Sequence, residues 1–389
     1  MRRIEIERLQ RVFEAHDKSY GQSMTGVLRI LFTGRDAEGK VSVIKLNRGD
    51  KLRQPSENSP AYDLVKKFYE FHAEHGIHVA SPEKLLELIQ CVDRIRSMTM
   101  SKSAKHRVDE VIAFVGKLFS YSRFCDGKGP FLRKRNGCGV RQNPYVYAVC
   151  WKDNDVDGGV MWSAWAFMRA LMDNPLTRVR CCPYCNADMI YALSRVGKNG
   201  EGFSRSAFDH YFPQDKYPFL GLSLYNLIPT CTRCNLAKGN EYNNGEMQLE
   251  HPYVDDFNSD VKFTWGVRLG DALRDALALS KDVKPDVIVS PAAPRSSASL
   301  ELFAPQEVYA QLFREDVAEI PSLLRKAKSL WVNDIAGRLQ LREGLGFDGV
   351  TGDLEWKKLL LHKSLSESGI NSEPLGKLTI DLVDELEGK

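Results

Sequence analysis

Two cysteine pairs, Cys182-Pro-Tyr-Cys185 and Cys231-Thr-Arg-Cys234, restrict the fold of this chain more than any other feature. In a CxxC, both thiolates can reach one ion from a single tight turn, and two such turns complete a closed tetrahedral shell. The spacing therefore predicts a structural zinc ion on Cys182, Cys185, Cys231 and Cys234. Cys181 is a spare thiol beside the first pair, and spacing alone does not settle which of the two adjacent cysteines is the ligand. The remaining cysteines, Cys91, Cys125, Cys138 and Cys150, are scattered, as buried or free thiols of a reducing cytoplasm would be.

Asp209-His210 sits between the pairs. Residues 188–196 and 203–212 read as strands around the turn GKNGEG, with Asp209 and His210 near the end of the second. Neighbouring strand residues face opposite sides, so the two serve one site only where the strand end is irregular, and Pro213 supplies such a break. Phosphodiester hydrolysis needs a water relieved of its proton and a divalent cation to offset charge on the phosphate. His210 is suited to be the base. Asp209 and the amide oxygen of Asn235 are suited to a hard ion such as Mg²⁺ or Mn²⁺. Asn235 directly follows the last cysteine, so the structural ion would fix in space a ligand of the catalytic one.

The order Asp209-His210, Asn226, then Cys234-Asn235 with Lys238 resembles the HNH (ββα-metal) endonuclease family in its zinc-stabilised form. The stretch LSLYNLIPTCTRCNLAKGN is similar to that family's N-x-x-P-x-C-x-x-C-N/H-x-x-K pattern, and the likeness covers residues 182–240. The resemblance implies that His210 is the general base, that Asp209 and Asn235 bind the catalytic ion, and that Asn226 braces the loop holding the histidine. It implies an α+β protein, mainly helical, with an embedded ββα-metal zinc module that cuts DNA in bacterial or phage defence or restriction. The segment LEHPYVDDFNSDVKFTW, with His251, is similar to the tail that often follows such modules in defence-associated nucleases. Lys238, three residues beyond Asn235, shares its helical face and is expected to contact phosphate.

Charge bears on where nucleic acid would bind. Residues 160–260 carry nine basic and eleven acidic side chains, so the module alone is a poor polyanion binder. The segment from Arg123 to Arg141 has six basic residues against one acid, and it reads as a loop whose Arg133, Lys134 and Arg135 lie along a phosphate backbone.

The organisation expected is an N-terminal mixed domain over 1–158, the nuclease module over 159–265, a Pro- and Ser-rich linker over 266–299 and a C-terminal helical region over 300–389. The first domain reads as a hairpin of strands Val27–Phe32 and Lys40–Leu46 followed by three helices. Further helices are predicted over 160–172, 321–341 and 353–368. The start of the chain carries charges throughout and no long apolar run occurs anywhere, so a soluble, cytoplasmic protein without membrane contact is expected. The flanks would recognise the substrate or a protein partner such as an ATPase of a defence system. The competing reading is a non-catalytic zinc module that binds nucleic acid or protein, and RNA is a further substrate compatible with the same chemistry.

Overall fold

The computed structural model describes residues 2–45, 51–52, 54–134, 145–153, 162–175, 177–194, 202–264, 286–290, 292–313, 315–317, 319–320 and 370–387. The helices predicted over 321–341 and 353–368 lie outside the described residues.

Helices dominate the N-terminal part: α1 (Gln10–His16), α2 (Gln22–Thr33), α3 (Pro60–His75), α4 (Pro82–Ser97), α5 (Lys102–Leu118) and α6 (Tyr121–Cys125). Ser59 and Ser101 accept backbone N–H bonds at the starts of α3 and α5, satisfying donors that a helix leaves unpaired. Each of α3, α4 and α5 turns an apolar stripe inward, including Phe68, Ile89 and Val115, all fully buried. The hairpin expected across 27–46 does not form, because residues 27–32 belong to α2. Met24, Val27, Leu28 and Leu31 recur at helical spacing and are buried. A short apolar run satisfies either period, and packing of α2 on α3 decides it.

Strands β1 (Ser42–Lys45), β2 (Lys51–Leu52), β3 (Lys128–Lys134) and β4 (Tyr145–Asp153) make one sheet in the order β2-β1-β4-β3, with β1 and β4 parallel. The basic segment is thus in part a strand: β3 pairs antiparallel with β4 from Lys128 opposite Asp153 to Lys134 opposite Tyr147. Arg133 and Lys134 fall on β3, while Arg135 lies outside the described residues.

After α7 (Ala164–Asp173) come β5 (Ala192–Ser194), β6 (Gly202–Arg205), β7 (Ala207–His210), β8 (Leu227–Thr230) and α8 (Thr232–Lys238). The long second strand predicted over 203–212 is broken at Ser206, so β6 pairs with β5 and β7 pairs with β8. Downstream lie α9 (Phe257–Asp260), β9 (Val261–Thr264), β10 (Asp286–Val289), α10 (Pro294–Phe303), α11 (Pro305–Leu312) and α12 (Gly376–Glu387). The stretch expected to be a linker contains β10, which pairs with β9, and the start of α10, which packs on α8. Arg295 pairs with Asp255 at 2.7 Å, fastening α10 to the module, so the described part of this stretch is integral to the fold.

The fold is therefore α+β and mainly helical, with small sheets. Among the described residues no helix is long and apolar enough to cross a membrane.

Candidate functional site

The four cysteines converge. The sulfurs of Cys182, Cys185, Cys231 and Cys234 all lie within 4.8 Å of one another and all four residues are buried. A tetrahedron with metal–sulfur bonds of about 2.3 Å has its sulfurs about 3.8 Å apart, so the cluster is of the size that one ion fills. Cys181 stands outside it, its backbone bridged to Met189. The thiols of Cys231 and Cys234 are pushed well up, first by their contact with the Cys182 sulfur. Four thiolates coexist at this spacing only around a cation. Cys231 also starts α8, its sulfur accepting the Cys234 N–H, and the Tyr309 hydroxyl donates to the Cys185 carbonyl at 2.7 Å.

Between these knuckles, β7 and β8 run antiparallel with Asp209 opposite Ile228 and His210 opposite Leu227. α8 begins two residues after β8 and packs back on β7. This strand–strand–helix unit places Asp209, His210 and Asn235 on two touching elements.

Asn226 is buried and its amide spans the segment beyond His210. Its Oδ1 accepts the Phe212 N–H at 2.7 Å, and its Nδ2 donates to the Phe212 and Leu220 carbonyls at 3.2 and 3.3 Å. The N-terminal helices back the same segment. A Cβ on Gly116 of α5 would stand 2.6 Å from Pro218, so only glycine permits this approach. The Leu222 carbonyl accepts from His16 at 2.7 Å.

His210 uses this rigid loop. Its Nε2 lies 3.3 Å from the Gly221 carbonyl, which can only accept, so Nε2 carries the proton. Nδ1 then holds a lone pair. It has no partner among the described residues and is not among the side-chain atoms sealed from solvent. Burial, ahead of the opposing pull of Asp209, lowers the His210 pKa to about 4, so the ring is neutral at physiological pH. The Tyr121 ring meets it edge-on, with centroids 4.8 Å apart.

Asp209 is 3% exposed. One carboxylate oxygen accepts from the Tyr184 hydroxyl at 2.8 Å and the other from the Lys238 ammonium at 3.0 Å. Lys238 also donates to the His210 carbonyl at 2.8 Å. The expectation that Lys238 reaches out to phosphate is corrected: its side chain is fully buried, and its ammonium neutralises Asp209. Burying an ammonium requires a paired anion, and Asp209 is that anion. Asn235 is half-buried on α8, with no hydrogen bond from its side-chain amide among the described residues. Asp209 retains lone pairs and Asn235 a free amide oxygen, oxygens of the kind that hard ions accept. An ion there would share the carboxylate with Lys238.

The other histidines have different tasks. His251 is buried, its Nδ1 accepting the Tyr253 N–H at 3.3 Å in a turn and its ring 4.2 Å from that of Tyr211. His72 and His78 gather with His16 among the first helices, whereas His75 packs on Phe71. Tyr184 and Tyr121 are the site neighbours that the sequence did not disclose. Each lies far in the chain from what it touches, and an aromatic residue inside a CxxC carries no distinguishing signal.

Compared with known proteins, the chain matches no family model, no curated protein and no solved structure.

Proposed function

We propose that this protein is a metal-dependent endonuclease of the HNH type that hydrolyses phosphodiester bonds in DNA, with zinc on the four cysteines. The observation that carries the reading is the state of His210: Nε2 is tied to a carbonyl of a braced loop, while Nδ1 is left with its lone pair open and Asp209 and Asn235 stand on adjoining elements. A base must be neutral, held and reachable, and His210 is all three. In the reaction His210 takes the proton of the attacking water on Nδ1. Asn226 keeps the loop from yielding as the ring becomes charged. Asp209 and Asn235 would hold Mg²⁺ or Mn²⁺, which supplies charge stabilisation at the phosphate. Lys238 and Tyr184 hold the Asp209 carboxylate in place, each bonding one of its oxygens. A role in defence or restriction, with an ATPase as partner, extends this proposal on the motif resemblance alone.

The test is a panel of duplex, nicked, branched and single-stranded DNA with Mg²⁺ or Mn²⁺. Wild type should cut at least one shape, and His210→Ala should cut it about 10²- to 10⁴-fold more slowly. Equal cleavage by both would remove His210 from the chemistry. About one zinc per chain is expected, and Cys234→Ser should lose both the ion and the module's fold.

One observation favours the second reading, a non-catalytic zinc module. Both oxygens of Asp209 are already bonded within the protein, as those of a purely structural carboxylate would be. That reading predicts no cleavage with any metal and nucleic-acid binding unchanged in His210→Ala.

A further inference from the structure

A groove of about 1020 Å³ opens beside this site, between the β5–β6 hairpin and the start of α8. Its walls include Trp165, Tyr191, Arg205, Thr232, Arg233 and Asp188. Asp188, the sole carboxylate among the lining residues, is already taken by Arg233 at 3.1 Å. Arg205 is different. It is half-buried, yet among the described residues its guanidinium bonds no carboxylate: its partners are the Ser206 carbonyl and the Tyr121 hydroxyl, each at 2.8 Å, and the Cys125 sulfur at 3.0 Å. The Tyr121 and Phe208 rings flank it at 5.7 and 5.3 Å. A partly desolvated cation is normally matched by an anion, so this fixed, unmatched guanidinium marks a place for one.

Tyr121 joins the groove to the catalytic histidine, since its hydroxyl holds Arg205 and its ring lies against His210. The groove lining offers two kinds of surface. Tyr191 is 41% exposed and Trp165 is partly so, giving aromatic faces, while Thr232 and Arg205 give phosphate donors. Aromatic platforms with a cationic track accept bases that are already unstacked, whereas a duplex offers no free base faces.

We infer that this groove binds a single DNA strand, with its phosphate on Arg205 and its bases against Tyr191 and Trp165, and leads that strand to His210. The substrate class rests on the nuclease reading, but the binding does not require cleavage.

The experiment is fluorescence anisotropy of a labelled oligothymidylate with the full chain, in buffer without added Mg²⁺ or Mn²⁺ so that nothing is cut. Arg205→Gln should weaken binding about tenfold and reduce the salt slope by about one. Tyr191→Ser and Thr232→Glu should each weaken it severalfold; both positions are exposed, so these variants report even if Arg205→Gln is misfolded, and zinc content checks the fold. The inference is overturned if wild type does not bind the strand, or if Tyr191→Ser and Thr232→Glu bind as wild type does. Those outcomes leave the cleavage test of His210 standing, and loss of binding in a protein that never cuts would sink the nuclease reading while leaving the groove in place.

Discussion

His16 and His210 donate to neighbouring carbonyls of one loop, at Leu222 and Gly221, yet their second nitrogens meet different surroundings. The second nitrogen of His16 accepts the Trp162 indole N–H at 3.0 Å, and the ring is sealed among Tyr20, Phe124 and His78. His210 has its second nitrogen open. Burial depresses both, to about 3 for His16 and about 4 for His210. A lowered pKa therefore does not distinguish the two rings; the unspent lone pair of His210 does, and under the proposed function it is what a base requires. The loop between them gains its stiffness from both sides, from His16 and α5 beneath and from Asn226 within.

The largest effect expected on this contrast comes from the ammonium behind His210. Lys238→Met would strand a buried Asp209 with only Tyr184 and free the His210 carbonyl, costing about 3–5 kcal/mol of stability in chemical unfolding. Adding Asp209→Leu should recover much of that loss, because the pair is coupled. A cost near zero for Lys238→Met would mean that the pair does not hold this corner together.

A smaller effect separates the histidines by pH. The folded pKa of His16 lies below its unfolded value of 6.5, so the unfolded chain binds a proton that the folded chain refuses. Its contribution is fully present above pH 6.5 and is lost as pH falls, at up to about 1.4 kcal/mol per unit. The raised carboxyls of Glu250, Asp255 and Asp381, each lifted chiefly by burial, act in the opposite sense. Urea midpoints between pH 7 and 5 should thus fall less steeply in His16→Phe than in wild type. Identical slopes would show that His16 is not held neutral.

What the chain disclosed in advance follows from how local each signal is. The cysteine spacing is complete within each turn, and the four-sulfur cluster could be read directly, as could the three helices expected in the first domain, which α3, α4 and α5 supply. Residues 27–32 were ambiguous because their length fits strand or helix, and contacts with α3 made the choice. The basic run looked like a loop, yet β4 turns part of it into a strand. Lys238 misled for the same reason. Three residues from Asn235 on a helix, it belongs on a shared face, but whether that face meets solvent depends on Asp209, which no local pattern pairs with it.

If His210 serves chemistry where His16 serves the fold, one paired measurement separates them: DNA cleavage rate and urea midpoint for His210→Ala and His16→Phe. The prediction is a cleavage loss of about 10²-fold or more with a stability change of about 1 kcal/mol for His210→Ala. His16→Phe should show lowered stability of about 1–3 kcal/mol, with the folded fraction still cutting. If His210→Ala cuts like wild type, or if the two variants exchange these behaviours, the assignment of His210 as the base is contradicted.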